Sequence, residues 1–188
     1  VRFISGTYAP HIELEATLAR FHGREAAMIF SSAYAAMLGV FTPLVSEETA
    51  LVSDALNHNC IINAIKLARP KEKRVYRHND VGELDARLTE VEGCRRALVV
   101  TDGIFSMRGD EAPLPAIFAA ARKHDAAFPE NVVVIVDDSH GVGAFGATGR
   151  GTEEASGSGP ADVLIGTLGK AFGVNGGYVT GAAGLIDF

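Results

Sequence analysis

Apolar positions in this chain follow two spacings that take turns along its length. Over residues 11–22, Ile12, Leu14, Leu18 and Phe21 stand among Glu13, Glu15 and Arg20. That pattern predicts an amphipathic helix after Pro10, stopped by Gly23. Residues 26–30 read as a short buried strand. An apolar helix is predicted over 33–41, ended by Thr42 and Pro43. The alternation continues with a strand over 49–53, a helix over 58–68, a strand over 74–76 and a helix over 81–91. A strand over 97–101, an Ala-rich helix over 114–124 and a strand over 132–136 come next. Residues 132–136 form the most apolar run and predict a central parallel strand. Residues 139–160 are rich in Gly, Ser and Thr and predict a loop. Two further strands are expected over 163–166 and 177–181. Strands that alternate with helices predict an α/β fold: a mostly parallel sheet with helices on both faces and right-handed crossovers.

Composition narrows the class. The 188 residues suit one domain or the major part of one, and 47% hydrophobic content supplies a sizeable core. A net charge of -6 with no basic run argues against a nucleic-acid surface. No stretch has the ~20 apolar residues of a membrane span, and no signal peptide is visible. Cys60 and Cys94 lie far apart without metal spacing, which fits a reducing, cytoplasmic setting. The chain begins at Val1 and stops without a closing helix pattern, so it reads as a piece of something longer.

In open parallel sheets, ligands bind beyond the carboxyl ends of the strands. The residues that follow the predicted strands are Ser31 and Ser32, Asp54, Asp102, Asp137 and Asp138, and Thr167 to Lys170. All are polar or ionisable or belong to the glycine-rich turn Gly-Thr-Leu-Gly-Lys-Ala-Phe-Gly over residues 166–173. A single lysine in such a turn suits a Schiff base to an aldehyde cofactor. Ser32, Ala33 and Tyr34 join a strand to a helix, where free N–H groups suit a phosphate and where a serine also serves as an ordinary N-cap. Asp137 ends the most apolar strand. A carboxylate there is costly unless it meets a cation, and a pyridinium nitrogen, a metal or structural hydrogen bonds would each answer. No second His/Asp/Glu cluster supports a metal. His140 lies three residues on and could reach the same ring. His58 could cap a helix or stack on a planar cofactor. Ser106 could bond a ligand or its own backbone. His11, His22, His78 and His124 are expected at the surface. Residues 141–146 match G-x-G-x-x-G, but the sequence that follows is a poor helix, which argues against a dinucleotide site.

Several segments together resemble the α-oxoamine synthases, pyridoxal-phosphate enzymes of fold type I. They are residues 166–173, Asp-Asp-Ser-His-Gly-Val-Gly from Asp137, Thr-Asp-Gly-Ile-Phe-Ser-Met from Thr101, Ser-Asp-Ala-Leu-Asn-His from Ser53, and Ile-Ser-Gly-Thr from Ile4. Ser53 to His58 and the Phe-Ser-Met turn look closest to the glycine C-acetyltransferase branch. Asn175, Val179 and Thr180 depart from that pattern. The resemblance implies the fold type I large domain over residues 1–188, with an N-terminal segment and a C-terminal small domain outside it. It implies pyridoxal 5'-phosphate as cofactor and Lys170 as the Schiff-base lysine. Asp137 would pair with the pyridinium nitrogen, His140 with the phenolic oxygen, and His58 would stack on the ring. The N–H groups of Ala33 and Tyr34 and the Thr167 hydroxyl would hold the phosphate, and Ser106 would lie against the ring.

The implied reaction condenses glycine, or another small amino acid, with an acyl-CoA and releases CoA. Lys170, His58, Asp137 and His140 would be its catalytic residues, in a homodimer whose partner subunit completes the phosphate site. 5-Aminolevulinate synthase and 8-amino-7-oxononanoate synthase are nearby alternatives within the family. An aminotransferase of the same fold and a non-catalytic fragment are alternatives outside it. The isolated 188 residues are expected to be inactive.

Overall fold

A computed structural model of the chain describes residues 2–188. The chain opens with helices α1 (Arg2–Ser5) and α2 (Ala9–His22). It continues through β1 (Ala26–Phe30), α3 (Ala33–Leu44), β2 (Thr49–Asp54), α4 (Asn59–Ala68), β3 (Glu72–Tyr76) and α5 (Val81–Glu90). Strand β4 (Arg96–Asp102), the short strands β5 (Ile104–Phe105) and β6 (Asp110–Glu111), and helix α6 (Leu114–His124) follow. The last part holds β7 (Val132–Asp137), α7 (Thr152–Ser156), β8 (Val163–Thr167), β9 (Gly177–Gly181) and α8 (Ala183–Ile186).

Seven strands form one sheet in the order β1-β9-β8-β7-β4-β2-β3. The pairs β3–β2, β2–β4, β4–β7 and β7–β8 are parallel. Strand β9 runs against both β8 and β1, so it alone is reversed in this sheet. The mostly parallel sheet read from the sequence is therefore present, with helices on both faces. Alternate side chains of each central strand enter opposite cores. Leu51, Leu98, Val100, Ile135, Val163 and Ile165 pack with α3 and α4 residues such as Met37, Phe41 and Ile61. Val52, Val99, Val134, Val136 and Leu164 pack with Leu84, Leu88, Leu114 and Ile117 of α5 and α6. Burial on both faces is why these strands are continuous apolar runs rather than alternating ones.

The structure departs from the sequence expectation in several places. Helix α3 does not end at Thr42 but runs through Pro43 to Leu44. A proline in the last turn gives up one helical bond, while Leu44 is buried in the core. The predicted loop over 139–160 contains helix α7. The β5–β6 hairpin and the short helices α1 and α8 were not visible as patterns, because each is too short to show a period. Three histidines expected at the surface are built in. His124 is buried between Asp85 (2.9 Å) and Glu92 (3.3 Å). His78 bridges Asp54 (3.1 Å) and Asp110 (3.0 Å). His22 meets the Tyr178 hydroxyl at 2.8 Å, and burial, followed by the charge of Arg24, lowers its pKa to about 4. His11 accepts the Tyr8 N–H at the start of α2. Among the described residues, no helix is long and apolar enough to cross a membrane.

One close approach ties the sheet to the start of α3. Gly177, the first residue of β9, lies against the backbone of Ser32 and Ala33, and a Cβ there would overlap that backbone. Backbone cannot rotate aside as a side chain can. Gly177→Ala is expected to lower stability by about 2–3 kcal/mol and to shift the start of α3. Urea unfolding followed by circular dichroism measures the first effect. A variant that unfolds at the unaltered midpoint would show that the turn has room to yield.

Candidate active site

The carboxyl ends of β1, β2, β4, β7 and β8 gather at one edge of the sheet. A cavity of about 170 Å³ opens there. Ala33, Tyr34, His58, Ser106, Asp137, His140, Thr167 and Lys170, all singled out from the sequence, line it. A larger cavity of about 750 Å³ lies at the opposite edge of the sheet, beside Arg96, Val132 and Gly181, and contains none of them.

Each side chain is set by its local structure. Ser32 caps α3, its Oγ accepting the Ala35 N–H at 3.0 Å. The N–H groups of Ala33 and Tyr34 are first-turn donors that the helix itself cannot satisfy, and the positive end of the helix dipole favours an anion beside them. Tyr34 is held by Asn63, whose Nδ2 donates to its hydroxyl at 2.7 Å. His58 is both a cap and a pocket residue. Its Nδ1 accepts the Cys60 N–H at 3.2 Å at the start of α4, and its ring stays exposed at the cavity. Ser106 is exposed at the start of the β5–β6 turn.

Asp137 is 6% exposed. Its Oδ1 accepts the Ser139 N–H at 3.1 Å, and its Oδ2 lies 3.5 Å from the Cys60 thiol. Burial, and then the negative charge of Asp137, pushes the Cys60 thiol up. His140 is half-buried. Burial, followed by the charge of Lys170, lowers its pKa from the ordinary histidine value. Lys170 occupies an exposed turn that hydrogen bonds close tightly. Leu168 N donates to Gly176 O at 2.9 Å, Val174 N to Leu168 O at 3.0 Å, and Gly173 N to Lys170 O at 3.0 Å. The Thr167 hydroxyl joins this turn, accepting the Gly169 N–H at 3.1 Å and donating to Gly176 O at 3.3 Å. Leu168 anchors the turn in a small core with Leu18 and Tyr178. Of the turn's glycines, Gly166 leaves room for the Tyr178 ring, and Gly173 adopts φ 68°.

Not every polar strand end reaches the cavity. Asp54 accepts from Leu56 N and Asn79 N, both at 2.8 Å, and belongs to the turn beside His78. Asp138 follows Asp137 and points to the other side, as successive residues of extended chain do. Its Oδ2 accepts the Thr152 N–H at 2.7 Å, with Gly103, Gly141 and Gly151 packed around the carboxyl. Burial raises its pKa to about 7. Residues 141–146 form turns rather than the start of a helix, as the reading against a dinucleotide site expected.

Ser32 and Asp102, named among the residues that follow the strands, line the cavity as well. The sequence reading missed Cys60, Ile104 and Ser139. Cys60 carried a signal, since it lies two residues past His58. It also missed the brace behind His58. Asn57 is 5% exposed. Its Nδ2 donates to Ser53 Oγ (2.9 Å) and Val100 O (2.8 Å), and its Oδ1 accepts from Asp102 N (2.9 Å).

Comparisons with known proteins place this geometry. The family model for aminotransferase class I and II matches residues 1–188. The chain belongs to that family, on its α-oxoamine synthase branch. It is 45% identical over 189 residues to 8-amino-7-oxononanoate synthase of Thermosipho melanesiensis, covering 100% of this chain and 46% of that protein. It is 46% identical over 189 residues to mitochondrial 2-amino-3-ketobutyrate coenzyme A ligase of Bos taurus, covering 100% and 43%. Among solved structures, serine palmitoyltransferase from S. paucimobilis with a bound PLP–myriocin aldimine superposes with a TM-score of 0.89 at 35% identity, covering 99% of this chain and 45% of that one. The chain thus spans about half the length of the relatives it matches.

Asn57→Ala removes three buried hydrogen bonds at once. It is expected to lower stability by about 2–4 kcal/mol, with amide exchange rising first at residues 54–60. Thermal unfolding and hydrogen exchange test this. A loss spread evenly over the sheet would count against a local brace.

Proposed function

We propose that residues 1–188 form the pyridoxal 5'-phosphate-holding large domain of an enzyme that joins glycine, or another small amino acid, to an acyl-CoA and releases CoA. The observation that carries this reading is the pairing, at one small cavity, of a single exposed amine, Lys170, with a buried carboxylate, Asp137. The residues present suit the cofactor's three demands. Its phosphate calls for free N–H groups, which Ala33 and Tyr34 offer at a helix start. Its ring nitrogen calls for an anion, which Asp137 supplies. Its aldehyde calls for an amine, which Lys170 supplies. Relatives with 2-amino-3-ketobutyrate coenzyme A ligase and serine palmitoyltransferase in their names support the same class.

When bound, pyridoxal phosphate supplies an aldehyde that condenses with amines and a protonated ring that draws electron density from the amino acid. The protein's part is to hold and to move protons. Asp137 would hold the ring nitrogen and keep its proton in place. Lys170 Nζ would hold the aldehyde and, once freed, would take up the proton of the amino acid's α-carbon. Overall, a bond would form between that carbon and the thioester carbonyl carbon, the C–S bond would break, and the CoA thiolate would take up a proton. His58 would stack on the ring, His140 would contact its phenolic oxygen, and Ser106 would lie against the ring. The Thr167 hydroxyl shapes the lysine turn and would help to hold the phosphate. A homodimer fits the exposed apolar side chains on α2 (Ile12, Leu14), on β1 (Met28) and in the lysine turn (Phe172, Val174). The glycine C-acetyltransferase reading rests on the Ser53–His58 and Phe-Ser-Met segments. The Thermosipho relative favours a second reading, 8-amino-7-oxononanoate synthase chemistry.

Full-length protein loaded with pyridoxal phosphate should absorb as a protonated Schiff base, and borohydride should fix the cofactor's mass on the peptide bearing Lys170. CoA release is to be measured with glycine, alanine and serine across acyl-CoA chain lengths; the preferred pair separates the two readings. Lys170→Ala should lower release by about a thousandfold or more. Conversion of the cofactor to its amine form without CoA release would replace this proposal with an aminotransferase.

A further inference from the structure

Two carboxyl groups stand side by side in the cavity wall, and the chemistry above uses only one. Asp102 ends β4 and Asp137 ends β7, and these parallel strands pair with Asp102 opposite Asp137. Residues at paired positions share a face, on strands about 4.8 Å apart. Both side chains line the cavity and both residues are 6% exposed. Their partners differ. Each oxygen of Asp137 already has a donor, Ser139 N–H on Oδ1 and the Cys60 thiol on Oδ2. Asp102 Oδ2 accepts the His58 N–H at 3.0 Å, but its Oδ1 is buried with no hydrogen-bond partner among the described residues. A bare ionised oxygen in a low-dielectric wall is costly, and a second anion on the next strand adds repulsion. A proton on Oδ1 removes both costs. A proton on Asp137 would displace a donor it already has.

We propose that this pair holds one proton at neutral pH, carried on Asp102 Oδ1, so that Asp137 is the pair's only anion while Asp102 positions His58 through Oδ2. The groups facing Asp102 are Asp137 from β7, Asp54 from β2, Tyr76 from β3, His58 and Cys60 at the start of α4, and Lys170 from the turn after β8. Burial first, then the charge of Asp137, raises the Asp102 pKa to about 8, against the pull of the His58 N–H and Lys170. A carboxyl raised in the folded state contributes stability that is full below its ordinary value and is lost as pH rises through the folded value. For Asp102 that window runs from about pH 4 to about pH 8. Asp138 contributes with the same sign, so only the difference between variants isolates Asp102. The inference deepens the proposed function and rests on it for the role of Asp137, but its first two tests need no cofactor.

Infrared difference spectra of full-length protein without cofactor, unaltered minus Asp102→Asn, should show one protonated-carboxyl carbonyl band at neutral pH. Loss of an ionised-carboxylate band instead overturns the proposal. The unaltered protein should lose more stability than D102N as pH rises through the window above, and equal slopes overturn it too. Pyridoxal phosphate binding, followed by absorbance, should weaken about tenfold in Asp102→Ala. D102N should recover most of that loss, because a carboxamide accepts and donates as a protonated acid does. If D102N binds no better than D102A, charge rather than the proton is what the pocket uses, and the proposal falls. Failure of the unaltered protein to bind the cofactor would sink the functional reading and leave the infrared result standing. Should D102N not fold, aspartate carboxyl NMR of the unaltered protein decides: Asp102 protonated at neutral pH supports the proposal, and Asp102 ionised there ends it.

Discussion

Hydrogen-bonded register between parallel strands is the constraint on which the rest of this molecule depends. Strands β2, β4, β7 and β8 run the same way, so their carboxyl ends arrive together. That alone brings Asp102, Asp137, Thr167 and Lys170, separated by 68 residues of chain at the extremes, to one cavity wall. It also carries a cost. Strands buried on both faces bring their terminal carboxyls into a poorly solvated region, where an unpaired charge is expensive. The structure answers locally, with Ser139 N–H and the Cys60 thiol at Asp137, and with His58 N–H at Asp102.

Helix starts do the complementary work. The crossovers that lead out of β1 and β2 begin helices α3 and α4 at the same edge, each capped by a side chain from the cavity wall, Ser32 and His58. Unsatisfied N–H groups and positive dipole ends therefore face the cavity that the carboxylates line. The wall thus carries opposite charges within one small space: acid from the strands, partial positive charge from the helices, and the amine of Lys170. This separation lets one site hold an anionic group at one end and a cationic one at the other. Rigidity comes from behind. Asn57 binds β2, β4 and the His58 turn together, and the Leu168–Tyr178 contact fixes the lysine turn.

Much of this was legible in the chain. Apolar runs bounded by glycine and proline marked the large helices and the main-sheet strands, because burial imposes a period that survives any detail of packing. The glycine-lysine turn and most of the residues after the strands marked the cavity, because parallel topology sends strand ends to one edge whatever the strand order. Short elements left no such trace, and a helix that keeps a proline in its last turn contradicts the local rule for a tertiary reason, the burial of Leu44.

What the sequence by itself determined was therefore the fold class and the sheet edge at which Lys170, Asp137, His140 and His58 line one cavity. Of two adjacent acids the family resemblance singled out Asp137, and the tertiary structure gives the reason: Asp137 lines the cavity while pleating turns Asp138 to the other side. It likewise decided that Asp54 belongs to a histidine clamp, that His124 is buried and His22 half-buried against Tyr178, and that Asp102 stands opposite Asp137. Those facts depend on strand register and on contacts between segments distant in sequence, and neither composition nor periodicity encodes them.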